Sequence, residues 1–413
     1  MITPAYSITA TERVLPKMAL DFTTATLDAR VTFTRALGTA TRVNSSGFVA
    51  SVAVDTPRFD YDPITLACKG LLIEESRINI FLQSQTYSAA NWTKAGLTSA
   101  TGSSGTSPDG TNNAFFLTED SSSGAHGVAQ DISATNTVVY TATYFVKAGT
   151  RTWCSIFGQG SAFSVTPYAS FNIGAGTLGG FGNGASNVSI TPYGNGWYRI
   201  SMSATASASS VATLALRMAT GNLNFTYAGN GTSGIYVWGA QFEAGAFPTS
   251  YIPTTTATLT RNADVATMTG TNFSDWYNSS ESGVVIQAIP NTISGTRPAI
   301  EFDDNTANEL ITLRGVAADP QLVVVDGGAT QATLDAGTIT SNTSYKLSGA
   351  WKTSSFATAI NGATAVTQAS GTLPTVTQAR LGSDGTNFLN GILQKIQYYP
   401  QRLINNEVQA FSK

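Results

Sequence analysis

The sequence predicts an all-β protein, two tandem β-sandwiches behind a distinct N-terminal region. Three observations lead there. Apolar and polar residues alternate over runs of about five to eight residues, as in half-buried strands. Gly, Asn, Asp and Pro punctuate these runs at Pro108-Asp109-Gly110, Gly194-Asn195-Gly196, Asp326-Gly327-Gly328, Asn361-Gly362 and Asp384-Gly385, residues that tolerate the positive φ of tight turns. Neither heptads nor a sustained helical period runs through the chain.

Taken in order, residues 1–69 carry mixed charge, short apolar runs and scattered turns, and read as a region apart. Residues 70–253 are nearly uncharged in their interior and read as the first sandwich. There, Val138–Lys147 sets Tyr140, Ala142, Tyr144 and Val146 on one face against Thr141, Thr143, Phe145 and Lys147. Ile235–Glu243 sets Tyr236, Trp238, Ala240 and Phe242 against Ile235, Val237, Gly239, Gln241 and Glu243. Residues 254–262, within PTTTATLTRN, read as a linker. Residues 263–413 read as the second sandwich, with strands at Val284–Ile289, Ala299–Phe302, Leu310–Arg314, Leu322–Val325, Tyr345–Trp351, Phe356–Ile360, Ala379–Leu381 and Ile392–Tyr399. A short helix is expected at Asn405–Phe411, with Asn405 as its N-cap.

Charge is scarce. The 22 Lys+Arg and 25 Asp+Glu make 11% of the 413 residues, against roughly 25% in ordinary soluble proteins. That excludes a nucleic-acid binder, which needs clustered cations. A hydrophobic share of 42% excludes a disordered chain. No run of about 18 apolar residues exists to insert in a membrane. The opening stretch MITPAYSITATERVLPKMALDF lacks the apolar core of a secretory signal, so the chain is expected to fold in a cytoplasm. Cys68 and Cys154 have no CxxC spacing, and free thiols are expected in that compartment.

Catalytic chemistry finds little to build on. His126, the single histidine, sits in the loop-like SSGAHG and reads as a surface or turn residue. The neighbouring acids Glu74-Glu75, Glu119-Asp120 and Asp303-Asp304 would point to opposite faces of a strand. They do not form the facing carboxylates of a glycosidase. No catalytic residue, metal ligand or cofactor is therefore assigned. A structural calcium ion is the one exception weighed, with Asp109, Asp120 and Asp131 as oxygen ligands. Against it, no EF-hand spacing is present and Asp109 already belongs to a turn signal.

Several longer stretches carry a resemblance. PRFDYDPITLACKGLLIEESRINI (57–80), QSQTYSAANWTKAG (83–96), YTATYFVKAG (140–149), GNGWYRIS (194–201) and VWGAQFEAGAFPTSYIPT (237–254) resemble a module of tailed-bacteriophage virion proteins. That module looks like a carbohydrate-binding-module jelly roll. YKLSGAWKTSSFATAING (345–362) and LGSDGTNFLNGILQKIQYYPQRL (381–403) resemble a concanavalin A/laminin-G-like jelly roll. The resemblance implies a non-enzymatic fibre or spike, on head or tail, displaying glycan-binding folds on a virion assembled in the host cytoplasm. It implies docking to other virion proteins through residues 1–69, a host cell-surface glycan as ligand, and a homo-oligomer, taken as a trimer. The rival readings are a decoration or cement protein with purely structural jelly rolls, and a polysaccharide depolymerase. The latter lacks the fixed-period repeat of a long β-helix.

Sugars stack their C–H faces on flat aromatic rings, so the tryptophans are the candidates for a glycan site. Trp238 and Trp351 alternate with other apolar residues and read as core, and on the GNGWYRI strand either Trp197 or Tyr198 must face inward. Trp92, in SAANWTK, and Trp153, in RTWCSIFGQG, stand beside small and polar residues. These two are the expected ligand-binding residues, with Trp153 favoured.

Overall fold

In the computed structural model, which describes residues 15–413, strands dominate. Among the described residues helix is confined to Phe22–Thr24, Thr271–Ser274 and Asn405–Phe411. The strands form tandem β-sandwiches, but spatial order departs from chain order. One sandwich is built from a continuous segment, about residues 80–254. The other is composite, closed by strands that precede and follow that segment.

The inserted sandwich packs two six-stranded antiparallel sheets. The first runs Ser186–Pro192, Trp197–Thr205, Val139–Ala148, Gly234–Ala244, Phe115–Glu119 and Leu97–Thr101. The second runs Thr177–Gly182, Tyr168–Asn172, Trp153–Gln159, Ser210–Ala219, Gly127–Ala134 and Thr93–Ala95. Tyr140, Ala142, Tyr144 and Val146 enter the shared core, as their alternation requires, and meet Ile156, Phe171, Leu214 and Leu216 from the facing sheet.

The strand Gly234–Ala244 breaks its own alternation. Thr143 pairs with Gln241 but Phe145 pairs with Trp238, a bulge centred on Gly239 at φ 55°. The extra residue flips the strand. Ile235, Val237, Ala240 and Phe242 all face the core between the sheets. Trp238, expected on the same face as Phe242, is buried on the other side with Phe145, Trp197 and Tyr251. Val49, from the hairpin Ala40–Val43/Val49–Val52, joins that second cluster.

The composite sandwich places Met18–Asp21, Phe59–Tyr61 and Cys68–Ile73 in one sheet with Glu281–Pro290, Tyr345–Lys352, Ser355–Ile360, Val366–Gln368 and Gly391–Tyr399. The last long strand is shared. Its residues Gly391–Leu393 pair with Leu71–Ile73, and Lys395–Tyr398 pair with Met18–Asp21. The opposing sheet takes Thr32–Thr34 beside Val265–Thr269, followed by Gln378–Leu381, Thr296–Asp303, Leu310–Val316, Asp319–Asp326 and Ala329–Asp335. Met18, Leu20, Phe33, Leu71 and Ile73 are buried there with Ile286, Phe302, Leu347, Trp351 and Ile396, each such side chain stabilising by roughly 1.5–3 kcal/mol. Outside the first of these sheets lies the C-terminal helix, through Val408 and Leu403 against Ala350 and Ala357. It spans the expected residues, Asn405–Phe411, but its cap differs. Ile404, not Asn405, holds the N-cap position, and its N–H donates to the Glu407 carboxylate at 2.8 Å.

The expected divisions of the chain are therefore redrawn. Residues 1–14 of the expected attachment region lie outside the described residues. The remainder of 1–69 is not a separate platform: Met18–Asp21, Thr32–Thr34, Phe59–Tyr61 and Cys68–Ile73 complete the composite sandwich, and the hairpin Ala40–Val43/Val49–Val52 packs through Val49 on the inserted module. The expected linker 254–262 holds a strand, Leu259–Arg261, paired antiparallel with Arg77–Asn79. These two strands form the neck where the chain enters and leaves the inserted module.

Buried charge closes the neck. Arg58 pairs with Glu74 at 2.8 Å and with Asp264. Arg35 reaches Asp264 at 3.1 Å and Arg261 reaches Glu74 at 3.2 Å. Glu74 also accepts the Ser250 N–H at 2.8 Å. Burial alone would raise the Glu74 pKa, but Arg261 and Arg58 hold it down at about 2. Each charge removed from water here is matched by a partner, the condition under which buried ions persist. Asn79 adds a polar latch, its amide donating to the Ile252 carbonyl at 2.7 Å and accepting from Phe242 N–H at 3.0 Å.

Candidate binding face of the inserted module

Strand Trp153–Gln159 sends Cys154 and Ile156 into the core. Period-two geometry then turns Trp153, Ser155, Phe157 and Gln159 outward. Register fixes their neighbours: Trp153 lies between Asn172 and Ala219, Ser155 between Ser170 and Arg217, and Phe157 between Tyr168 and Ala215. The segment after Ala219 folds back over this face. Phe225 meets the Phe157 ring edge-on at 4.4 Å between centroids, and Asn222 Oδ1 accepts the Gly180 N–H at 2.8 Å. Arg217 spreads its guanidinium over Phe157 at 4.6 Å and donates to Gln159 Oε1 at 2.6 Å.

Trp153 rests partly exposed at the edge of this surface. Its six-membered ring lies over the backbone of Gly179, where a Cβ would come within 2.8 Å of Cζ3. A side chain at position 179 would displace the indole, so the glycine-rich edge strand Thr177–Gly182 is what lets the ring lie down. Leu223, 41% exposed, covers Gly180 in the same way. The result is a fixed aromatic platform flanked by the exposed Asn222 amide and, further along the sheet, the Arg217–Gln159 pair. An apolar ring beside amide and guanidinium donors is suited to a sugar ring with its hydroxyls.

Trp92, the second expected ligand-binding residue, is not part of this platform. It is 1% exposed, in the core between the two sheets. Its ring meets Tyr87 at 4.9 Å and Phe81 at 5.2 Å, and its Nε1–H donates to the Gln83 carbonyl at 3.0 Å. The polar neighbours that suggested exposure belong to a turn-rich segment that tucks this one ring inward.

The titratable candidates take structural places. His126 is fully buried, not a surface residue, with Nδ1 2.7 Å from the Gly96 carbonyl, Nε2 3.2 Å from the Tyr227 carbonyl and its ring 4.6 Å from that of Tyr227. Glu119 pairs with Arg151 at 2.5 Å and accepts from Tyr227 Oη at 2.7 Å. Asp303 pairs with Arg380 at 2.8 Å, and Asp304 closes a turn onto Thr306 N–H at 2.8 Å. The trio weighed for calcium is not assembled. Asp109 accepts from Thr111 N–H, Asp120 from Ser122 N–H and Asp131 from Thr213 Oγ1, each within 2.9 Å. Among the described residues no group of three His, Cys, Asp or Glu side chains is placed to hold a metal ion. Likewise, no helix among them is long and apolar enough to cross a membrane. Cys68 and Cys154 are free thiols in different sandwiches.

No family model matches this chain, and no curated protein matches it. Solved structures similar to part of it include the CBM40 of the Ruminococcus gnavus IT-sialidase, at 17% identity over 32% of this chain and 83% of that one, with a TM-score of 0.29. The NanB sialidase of Streptococcus pneumoniae is similar at 13% identity over 35% of this chain and 26% of that one, with a TM-score of 0.31. A SAP-like pentraxin from Limulus polyphemus is similar at 11% identity over 32% of this chain and 70% of that one, with a TM-score of 0.26.

Proposed function

We propose that this chain is a non-enzymatic glycan-binding protein of a phage virion, a fibre or spike that attaches to a host-surface saccharide through the Trp153 platform. The observation that carries the reading is the Trp153 indole, packed against Gly179 and left partly open near Asn222. Core packing accounts for the other tryptophans of the module, but not for a large ring kept at the solvent face by a strand of glycines. The sparse charge of the surface suits neutral hydrogen bonding to sugar hydroxyls. The virion setting rests on the sequence resemblance, as does docking through the N-terminal region. That region also carries strands of the composite sandwich, so docking has to use its outer surface or residues 1–14.

A single ring with a few hydrogen bonds gives an affinity near millimolar, about −4 kcal/mol. Display in several copies, as in a trimer, raises avidity about 10²-fold or more. The test is competition. Multivalent protein added to cells should slow phage adsorption and should bind host polysaccharide on an array. Antibody to the chain should label intact virions. Labelled virions with no glycan signal in any multivalent format would favour the decoration-protein reading. Absence of the chain from virions would overturn the viral setting.

A further inference from the structure

A cleft of about 690 Å³ separates the inserted module from the composite sandwich. It is lined from the module by the outer face of the first sheet, opposite the sheet that carries Trp153. Arg199 is the feature that stands out. Its guanidinium lies over the Phe145 ring at 5.4 Å, and Nη2 donates to Thr143 Oγ1 at 3.1 Å. Nε is sealed from solvent without an acceptor. Among the described residues no carboxylate lies within 4.0 Å of it. Other arginines at the junction differ: Arg35, Arg58 and Arg261 all have acidic partners. Of the other cations lining the cleft, Lys69 is neutralised by Asp60 at 2.6 Å, while Arg42 lies over the Tyr61 ring and donates to the Phe59 carbonyl at 2.9 Å. Arg199 therefore presents to the cleft a positive charge with no acidic partner, in a rigid planar fork.

The lining mixes apolar side chains such as Leu72, Phe247 and Ile392 with hydroxyls and amides, including Ser189 and Asn291, and the ring of Tyr193 lies beside them. Tyr193 is held edge-on to Phe145 at 4.8 Å, so ring and guanidinium share one aromatic support. We propose that this cleft is a second binding site, specific for a carboxylated saccharide. The Arg199 fork takes the carboxylate, Tyr193 backs a sugar ring, and the cleft hydroxyls and amides meet the sugar hydroxyls. A guanidinium without an acidic partner is suited to a carboxylate, which it can take in two parallel hydrogen bonds. The volume falls in the range of small-ligand sites, about 300–1,000 Å³.

Calorimetric titration of the full chain with tetragalacturonate, and with its fully methyl-esterified form, tests this. The acid should bind at least tenfold more tightly than the ester. Arg199→Gln should lose at least tenfold for the acid and leave the ester unchanged. Arg199→Lys keeps the charge without the fork and should fall between them, with thermal unfolding confirming that both variants fold. Equal binding of acid and ester would overturn the proposal. So would an unchanged affinity in Arg199→Gln, or no binding of the acid at about 10 mM, ten times a typical millimolar dissociation constant. The Trp153 platform is judged separately, by loss of neutral-glycan binding in Trp153→Ala, so either site can fail alone.

Discussion

The two sandwiches are closed in different ways. The inserted module draws all twelve of its main strands from one continuous segment. The composite sandwich draws on residues 18–73 and 265–399, so its sheets close only when the chain on both sides of the module has come together. Two buried glutamates outside the inserted module contrast as well. Glu74 at the neck sits among arginines, and its pKa is held at about 2. Glu301 in the composite sandwich is pushed up to about 8, first by burial and then by Asp384 and Asp303. One unit is locally self-sufficient and carries the partly exposed aromatic platform. The other depends on long-range closure and tolerates an awkward buried acid.

Truncation is the strongest way to break this comparison. Deleting residues 1–56 removes the strands Met18–Asp21 and Thr32–Thr34 and the hairpin that props the module. The composite sandwich should then lose cooperative unfolding altogether, while a fragment spanning 80–254 keeps a transition of its own. Both are read by thermal circular dichroism. A truncated chain that retains both transitions would make the N-terminal strands dispensable and the two units alike.

Next in size is Trp92→Ala. Removing a fully buried indole costs about 3–5 kcal/mol, and the loss should appear in the module's denaturant midpoint alone. An equal shift in the composite sandwich would mean that the two units unfold as one.

The two glutamates predict opposite pH slopes. Glu74 has a folded pKa below its ordinary 4.5, so its contribution is present above about pH 4.5 and lost as pH falls toward 2. Glu301 has a folded pKa above 4.5, so its contribution is present below about pH 4.5 and lost as pH rises through 8. Each slope is at most about 1.4 kcal/mol per pH unit. Glu301→Gln should remove the alkaline slope and leave the acid one in place. Chemical denaturation from pH 3 to 9 checks both, and an unchanged alkaline slope in the variant would remove Glu301 from the account.

Much of the strand framework could be read locally. The eight strands expected after residue 263 all form, because period-two alternation with turn residues at both ends leaves little else for such runs to do. The closure could not be read this way. Met18–Asp21 lies beside Lys395–Tyr398, and a pairing across most of the chain leaves no local pattern. The Gly239 bulge likewise turned Trp238 away from Phe242 on a strand whose alternation looked regular. The partial exposure of Trp153 was legible from its small neighbours, whereas Trp92 was misread because a turn-rich segment can bury a ring without any periodicity. Arg199 was not legible at all. What marks it is the absence of an acidic partner in space, which no spacing along the chain records.

The smallest stability effect and the largest functional one should meet at Trp153. Trp153→Ala should cost less than about 1 kcal/mol, as substitutions outside the packed core do, yet abolish the glycan-array signal. A loss of several kcal/mol would place the ring in the core.

The central claim is tested most directly by nuclear magnetic resonance on the 80–254 fragment, whose indole signals come from Trp92, Trp153, Trp197 and Trp238. Host polysaccharide fragments should be titrated in while these four signals are followed. The account predicts that the Trp153 resonance moves in a saturable way and that Trp92, packed between Tyr87 and Phe81, stays in place. A saturable shift at Trp92 with Trp153 unmoved, or no shift at any indole up to solubility, would contradict it.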